Sequence, residues 1–122
     1  MSNFYRTKIL TSVKSLKETS LVLKKGVDII DFKNPSDGAL GALSTKKISF
    51  FLKSIPSDQL TSATIGDIED INTIKKKVIT LSKTKINFIK IGFFFDVKKI
   101  KLLKNLKKLA KDKKIIAVLF AD

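Results

Sequence analysis

No cysteine and no histidine occur among the 122 residues. Without cysteine there are no disulfides, and thiols say nothing about the redox compartment. Without histidine the chain lacks the commonest metal ligand, the commonest general base and every His-containing nucleophilic triad. Arginine is nearly absent too: Arg6 stands alone, and every other basic side chain is lysine. Long apolar runs are missing. Ile91–Phe95 and Ile115–Phe120 are far too short to span a bilayer. The opening Met-Ser-Asn-Phe-Tyr-Arg has no apolar h-region of a secretory signal. A cytoplasmic location is the default expectation.

What is present is a domain-sized chain with 43% hydrophobic residues, enough for a packed core and too many for a disordered tail. The formal net charge of +14 suggests a polyanionic partner at first sight. Two features argue against nucleic acid. Base-edge and bidentate phosphate readers favour the planar guanidinium fork, which this chain has once. Its lysines are also spread evenly among Ile, Asn and Phe residues, the pattern of drift toward AT-rich codons with lysine filling solvated helix faces. A lysine-rich nucleic-acid-binding protein therefore stays as an alternative. The first expectation has neither a nucleic-acid nor a membrane partner.

Periodicity organises the chain into alternating elements. Lys8–Val13 reads as a first strand. Ser15-Leu16-Lys17-Glu18 matches the S-x-x-E capping box and predicts a helix to about Lys25, with Gly26 to end it. Val27–Phe32 is a short, β-branched second strand. Ser44 can cap a second helix with Ile48, Phe51, Leu52 and Ile55 on one face, stopped by Pro56. Leu60–Ile65 is the third strand, stopped by Gly66-Asp67. A helix over Asp70–Thr84, a strand over Asn87–Ile91 closed by Gly92, a lysine-studded helix from Val97 to Ala110 and a strand over Ile115–Phe120 complete the series. Such alternation, in units of about 30 residues, implies a parallel sheet covered by helices. The fold class is α/β, either an open doubly wound sheet or part of a (β/α)8 barrel. No G-x-G-x-x-G follows the first strand, so the dinucleotide fingerprint is missing.

The candidate chemistry lies at the C-terminal strand ends, where a barrel places its active site: Asp31, Lys33, Ser62, Thr64, Lys90 and Asp122. Alternation puts Asp31 and Lys33 on one face of the second strand, opposite Ile30 and Phe32. A charged pair at the end of a buried strand is costly unless used or paired. A salt-bridged strand end before an ordinary loop is the plainer alternative. Lys90 is the single charge inside Asn87–Gly92, and a snorkelling lysine is its plain alternative. Both lysines sit on even strands, which in a barrel feed the same interior layers. An amine attacks a carbonyl only when neutral, and burial and a neighbouring cation both favour the neutral form. One lysine can then form an imine while the other, or Asp31, moves protons. The turn Asn34-Pro35-Ser36-Asp37-Gly38 with Gly41 calls for positive φ or close backbone approach, and its N–H groups are candidates to cradle a phosphate. Asp67, Glu69 and Asp70 cluster, but helix N-terminal charges explain them better than a site. No spacing here suits a metal.

Three blocks carry a resemblance: Val27–Ala42 (VDIIDFKNPSDGALGA), Thr61–Asp67 (TSATIGD) and Phe88–Gly92 (FIKIG). In order and spacing they resemble (5-formylfuran-3-yl)methyl phosphate synthase, a family involved in making the furan unit of methanofuran. The resemblance implies a TIM-type barrel and a lyase that condenses two molecules of glyceraldehyde 3-phosphate, with loss of phosphate and water. It implies no cofactor. It makes Lys33 the Schiff-base lysine, Lys90 the proton-transfer lysine and Asp31 the supporting acid. Asn34, Gly38, Gly41, Ser62, Thr64, Asp67 and Asp122 are candidates for substrate binding. The family barrel runs to about 250 residues, so residues 1–122 are expected to be the N-terminal portion of one barrel domain, truncated after the fifth strand. An oligomer or a missing C-terminal half then follows, as does a third alternative, an α/β fragment without activity.

Overall fold

The computed structural model describes residues 6–38, 40–68, 70–93 and 97–119, with the backbone alone at 93 and 97–100. Five strands and four α-helices alternate: β1 (Leu10–Val13), α1 (Leu16–Lys25), β2 (Ile29–Phe32), α2 (Thr45–Leu52), β3 (Leu60–Thr64), α3 (Ile71–Ser82), β4 (Phe88–Phe93), α4 (Val97–Leu109) and β5 (Lys114–Leu119). All neighbouring strands pair in parallel, in the spatial order β1-β2-β3-β4-β5. A doubly wound sheet reverses its strand order at a switch point. Here the strands follow one another in chain order, as in part of a (β/α)8 barrel, and this separates the two fold expectations.

Local chemistry sets the helix ends. Ser15 Oγ accepts from Glu18 N at 3.1 Å, as the capping box requires. Glu18 Oε2 reaches back, but to the N–H of Lys14, one residue before the cap (3.3 Å). Gly26 ends α1 at φ +84°, a conformation costly for any residue with a Cβ. Ser44 caps α2, and Asp70 caps α3 by accepting from Thr73 N at 2.9 Å. That position answers the acidic cluster around Asp67: Asp70 is a helix cap, and Glu69 lies outside the described residues.

Alternation then divides the sheet into two faces. Ile30 and Phe32, Ala63 and Ile65, and Ile89 and Ile91 are buried against Ile48, Phe51, Ile74, Val78, Leu102 and Leu106 of the helices. Phe32 meets Phe51 with ring centroids 6.0 Å apart. Burying one such side chain stabilises the fold by about 1.5–3 kcal/mol, so this layer holds the domain together. The opposite face carries the polar residues. No described helix is long and apolar enough to cross a membrane.

Two local expectations need correction. Gly92 does not close β4: the ladder runs on, pairing Gly92 with Val118 and Phe93 with Leu119. A glycine weakens a strand but does not break one that has a partner on the ladder. A short 3-10 turn, Pro35–Asp37, also follows β2, where only a loop was expected. Asn34 causes it, its side chain accepting from Ser36 N ahead of a proline whose φ is already fixed.

Candidate active site

The register of the parallel ladder builds the site. Ser12, Asp31 and Ser62 are paired positions on β1, β2 and β3, so their side chains form one row on the face away from the helices. Thr64 and Lys90 are paired in the next row toward the C-terminal strand ends. Continuing the β2–β3 register by one residue puts Lys33 in that second row, beside Thr64. Lys33 N donates to Val13 O at 3.1 Å, which prolongs the β1–β2 ladder to this point.

Asp31 is fully buried, and its two carboxylate oxygens are filled from three other strands. Ser62 Oγ donates to Oδ1 at 2.6 Å. Ser12 Oγ donates to Oδ2 at 2.9 Å, and Lys90 Nζ lies 3.3 Å from the same oxygen. An unpaired buried carboxylate is costly, and this convergence of donors removes the cost. Lys90 keeps part of its side chain open to solvent (17%) while Asp31 has none. Lys33 is half-buried.

The loop after β2 is fastened at its root. Gly41 O accepts from Asn34 N at 2.8 Å and from Thr64 Oγ1 at 2.9 Å, so a β3 side chain ties down the loop that follows Lys33. A Cβ on Gly41 would stand 1.9 Å from Asn34 O. Gly41 thus serves close approach, whereas Gly38 serves conformation, at φ +99°. Their N–H groups are engaged inside the loop, Gly41 N on Gly38 O (3.1 Å) and Gly38 N on Pro35 O (3.4 Å). A phosphate would have to find other donors. Asn34 is likewise occupied, its Nδ2 donating to Asp37 Oδ2 at 2.8 Å. Asp67 is exposed, beyond Gly66, and Asp122 lies outside the described residues.

The structure therefore brings Asp31, Ser62, Thr64 and Lys90 together, with Lys33 on the same face. It puts Asn34, Gly38 and Gly41 in the adjoining loop. Sequence reasoning missed Ser12. Ser12 shares a face with Leu10 in Lys8–Val13, but only the β1–β2 register sets it opposite Asp31. Surface hollows do not mark this site. One lined by Leu52, Pro56, Gln59 and Lys85 and another by Leu60, Asn87, Phe88 and Lys114 both lie at the N-terminal strand ends.

Fold and site together define a class: a (β/α)8-type scaffold that presents lysines and a buried carboxylate at the C-terminal ends of its strands. Comparison with known proteins is more specific. The family model of 4-HFC-P synthase matches residues 9–122, and the chain belongs to that family. It is 32% identical over 123 aligned residues to the (5-formylfuran-3-yl)methyl phosphate synthase of Methanocaldococcus jannaschii, covering 93% of this chain and 52% of the relative. It is 31% identical to the protein of that name from Methanococcus maripaludis strain C5, with the same coverage. A putative synthase of Methylorubrum extorquens is 35% identical over 87 residues, 71% of this chain and 36% of the relative. The chain thus spans about half the length of the curated relatives it matches.

Proposed function

We propose that this chain is the lysine-bearing part of a lyase that makes (5-formylfuran-3-yl)methyl phosphate from two molecules of glyceraldehyde 3-phosphate through an imine. The observation that carries this reading is the row of Lys33, Thr64 and Lys90 on one face, with Lys90 seated against buried Asp31. The relatives' name points to the product, and glyceraldehyde 3-phosphate as substrate is what the resemblance of the three sequence blocks implies.

In this reading the Lys33 amine attacks the aldehyde carbon of one triose phosphate, and water leaves. The resulting iminium acidifies the neighbouring C–H. Lys90, having passed one of its own protons to Asp31 Oδ2, takes that proton in turn, since its nitrogen lies on the open face and Asp31 has no solvent-accessible atom to offer. The enamine then attacks the second aldehyde. Cyclisation with loss of phosphate and water forms the furan, and hydrolysis of the Lys33 imine releases the aldehyde and frees the amine. No metal is required, because the iminium does the work of a Lewis acid.

The test is chemical. The protein expressed from its own gene is treated with glyceraldehyde 3-phosphate and sodium borohydride, then digested and analysed by mass spectrometry. A reduced adduct on Lys33 is expected, absent in Lys33→Ala. An adduct confined to another lysine, with Lys33→Ala still turning over, would refute the assignment.

A further inference from the structure

The two serines of the inner face have no role in the chemistry set out above, yet both are spent on one carboxylate. Asp31 lies on β2; its donors come from β1 (Ser12), β3 (Ser62) and β4 (Lys90). An aspartate carboxylate turns easily about its last torsion, which has broad, roughly two-fold wells. Ser62 holds Oδ1 and Ser12 holds Oδ2, so the plane of the group is fixed from both sides. The remaining direction of Oδ2 is the one that Lys90 Nζ occupies. We infer that Ser12 and Ser62 are positioning residues for Lys90: they clamp the Asp31 carboxylate, and the clamped carboxylate sets where the Lys90 nitrogen stands over the inner face. This rests on the imine reading for its catalytic consequence, while the clamp itself stands on geometry alone.

The two hydroxyls are not equivalent. Ser62 is fully buried on an interior strand, where nothing can replace its 2.6 Å hydrogen bond. Ser12 is exposed on β1, at the edge of the described sheet, where water can take its place. Loss of a buried hydrogen bond to a charged group is worth a factor of about 10–100. Asp31 itself touches no solvent, so it acts through Lys90 and is also a positioning residue.

The experiment uses the protein expressed from its own gene and its variants Ser62→Ala, Ser62→Thr and Ser12→Ala, each checked by circular dichroism. Two readouts are taken. The first is kcat and KM for glyceraldehyde 3-phosphate. Ser62→Ala is expected to lower kcat about 10- to 100-fold with KM and the Lys33 adduct yield retained. Ser62→Thr, which keeps a hydroxyl, is expected to recover most of that loss, and Ser12→Ala to lose only about 3-fold because water substitutes. The second readout needs no turnover: competitive acetylation of Lys90. Its rate is expected to rise about 3-fold or more in Ser62→Ala, as the ammonium loses a fixed partner. Unchanged Lys90 acetylation in Ser62→Ala overturns the clamp. So does an equal loss in the Ala and Thr variants. If the parent protein yields no Lys33 adduct, the imine reading falls, and the acetylation series still decides the clamp. Should Ser62→Ala fail to fold, Ser62→Cys, close in size but a weak donor, decides by the same acetylation rate: a rise is expected, and an unchanged rate overturns the clamp.

Discussion

Lys90 Nζ meets Asp31 Oδ2 at 3.3 Å although a whole strand, β3, runs between β4 and β2. Neighbouring strands stand about 4.8 Å apart, so the two backbones are about 10 Å from one another. Asp31 is in the row of Ser62, and Lys90 is in the row of Thr64. The lysine stem therefore crosses β3 diagonally, over two small side chains, to bring its charge to the carboxylate. Side chains larger than threonine at 62 or 64 would obstruct that path.

Lys90→Arg separates pairing from proton transfer. A guanidinium can keep the ion pair with Asp31 but stays protonated and cannot act as a base. The fold is expected to be retained and turnover to fall by at least about 100-fold, the scale of a removed acid–base group. Steady-state rates beside a thermal melt check this. A near-normal rate would make Lys90 a structural cation only.

Gly41→Ala tests the root of the loop. The new Cβ would stand 1.9 Å from Asn34 O and 2.9 Å from Asp37 Cβ, contacts that no rotamer relieves. Asn34 must move, and with it the hydrogen bonds to Gly41 O that seat the loop after Lys33. A displacement near 1 Å at a positioning element costs about 100-fold in rate, and that loss is expected here. Gly38→Ala, in open space but at φ +99°, is expected to cost stability more than rate. Equal activity of Gly41→Ala and the parent would show that the loop does not position Lys33.

Much of this was legible in the sequence because period two and period 3.6 are physical. Val27–Phe32 and Asn87–Ile91 had to place Asp31 and Lys90 opposite their apolar neighbours, and they do. Ser15 and Ser44 announced their helices through hydroxyl acceptors. What could not be read was register. No local signal says that Asp31 faces Ser12 on one side and Ser62 on the other. That follows from how β1 and β3 slide against β2. The Thr64 bond to Gly41 O was hidden for the same reason, since it joins two segments that only the folded sheet brings together. Gly92 misled because a glycine after an apolar run is a common stop signal, and only pairing with Val118 reveals the longer strand.

Acid titration provides a check outside the site. The Arg6 guanidinium, reinforced by the Ile9 N–H at 2.7 Å, holds the Asp28 carboxyl below the usual carboxylate range. Thr73 does the same for Asp70 through its hydroxyl and its N–H. Because folding lowers both values, each carboxylate stabilises the native state above the ordinary aspartate value of about 3.9. That stabilisation is lost as the pH falls through the lower, native value. Carboxyl carbon NMR is expected to place both midpoints below the usual range, with Arg6→Ala moving Asp28 upward and leaving Asp70 in place. An Asp28 midpoint unmoved by Arg6→Ala would show that the pair does not form in solution.

The polypeptide of these 122 residues, produced by itself, is expected to associate and to show no turnover. Closing a barrel takes eight strands with matched tilt and shear. The described sheet has five, with β1 and β5 at its edges. An edge strand offers unpaired N–H and C=O groups to any other chain. β5 is poorly defended: Lys114 is its single charge, and Leu119 is 77% exposed. Leu10 on β1 is exposed as well, and Ile29, Leu60, Phe88 and Ile116 on the inner face are only partly covered. Apolar surface left wet on that face weakens the fold and favours self-association. The site suffers too, since Lys33 and Lys90 would face water, which screens their charges and competes for the iminium. Size-exclusion chromatography with light scattering over a range of concentrations, beside a triose phosphate assay, decides the matter. A concentration-dependent mass and no product are expected. A sharply melting monomer that turns over substrate would show that five strands suffice, and that the inner face is closed in a way the parallel ladder does not reveal.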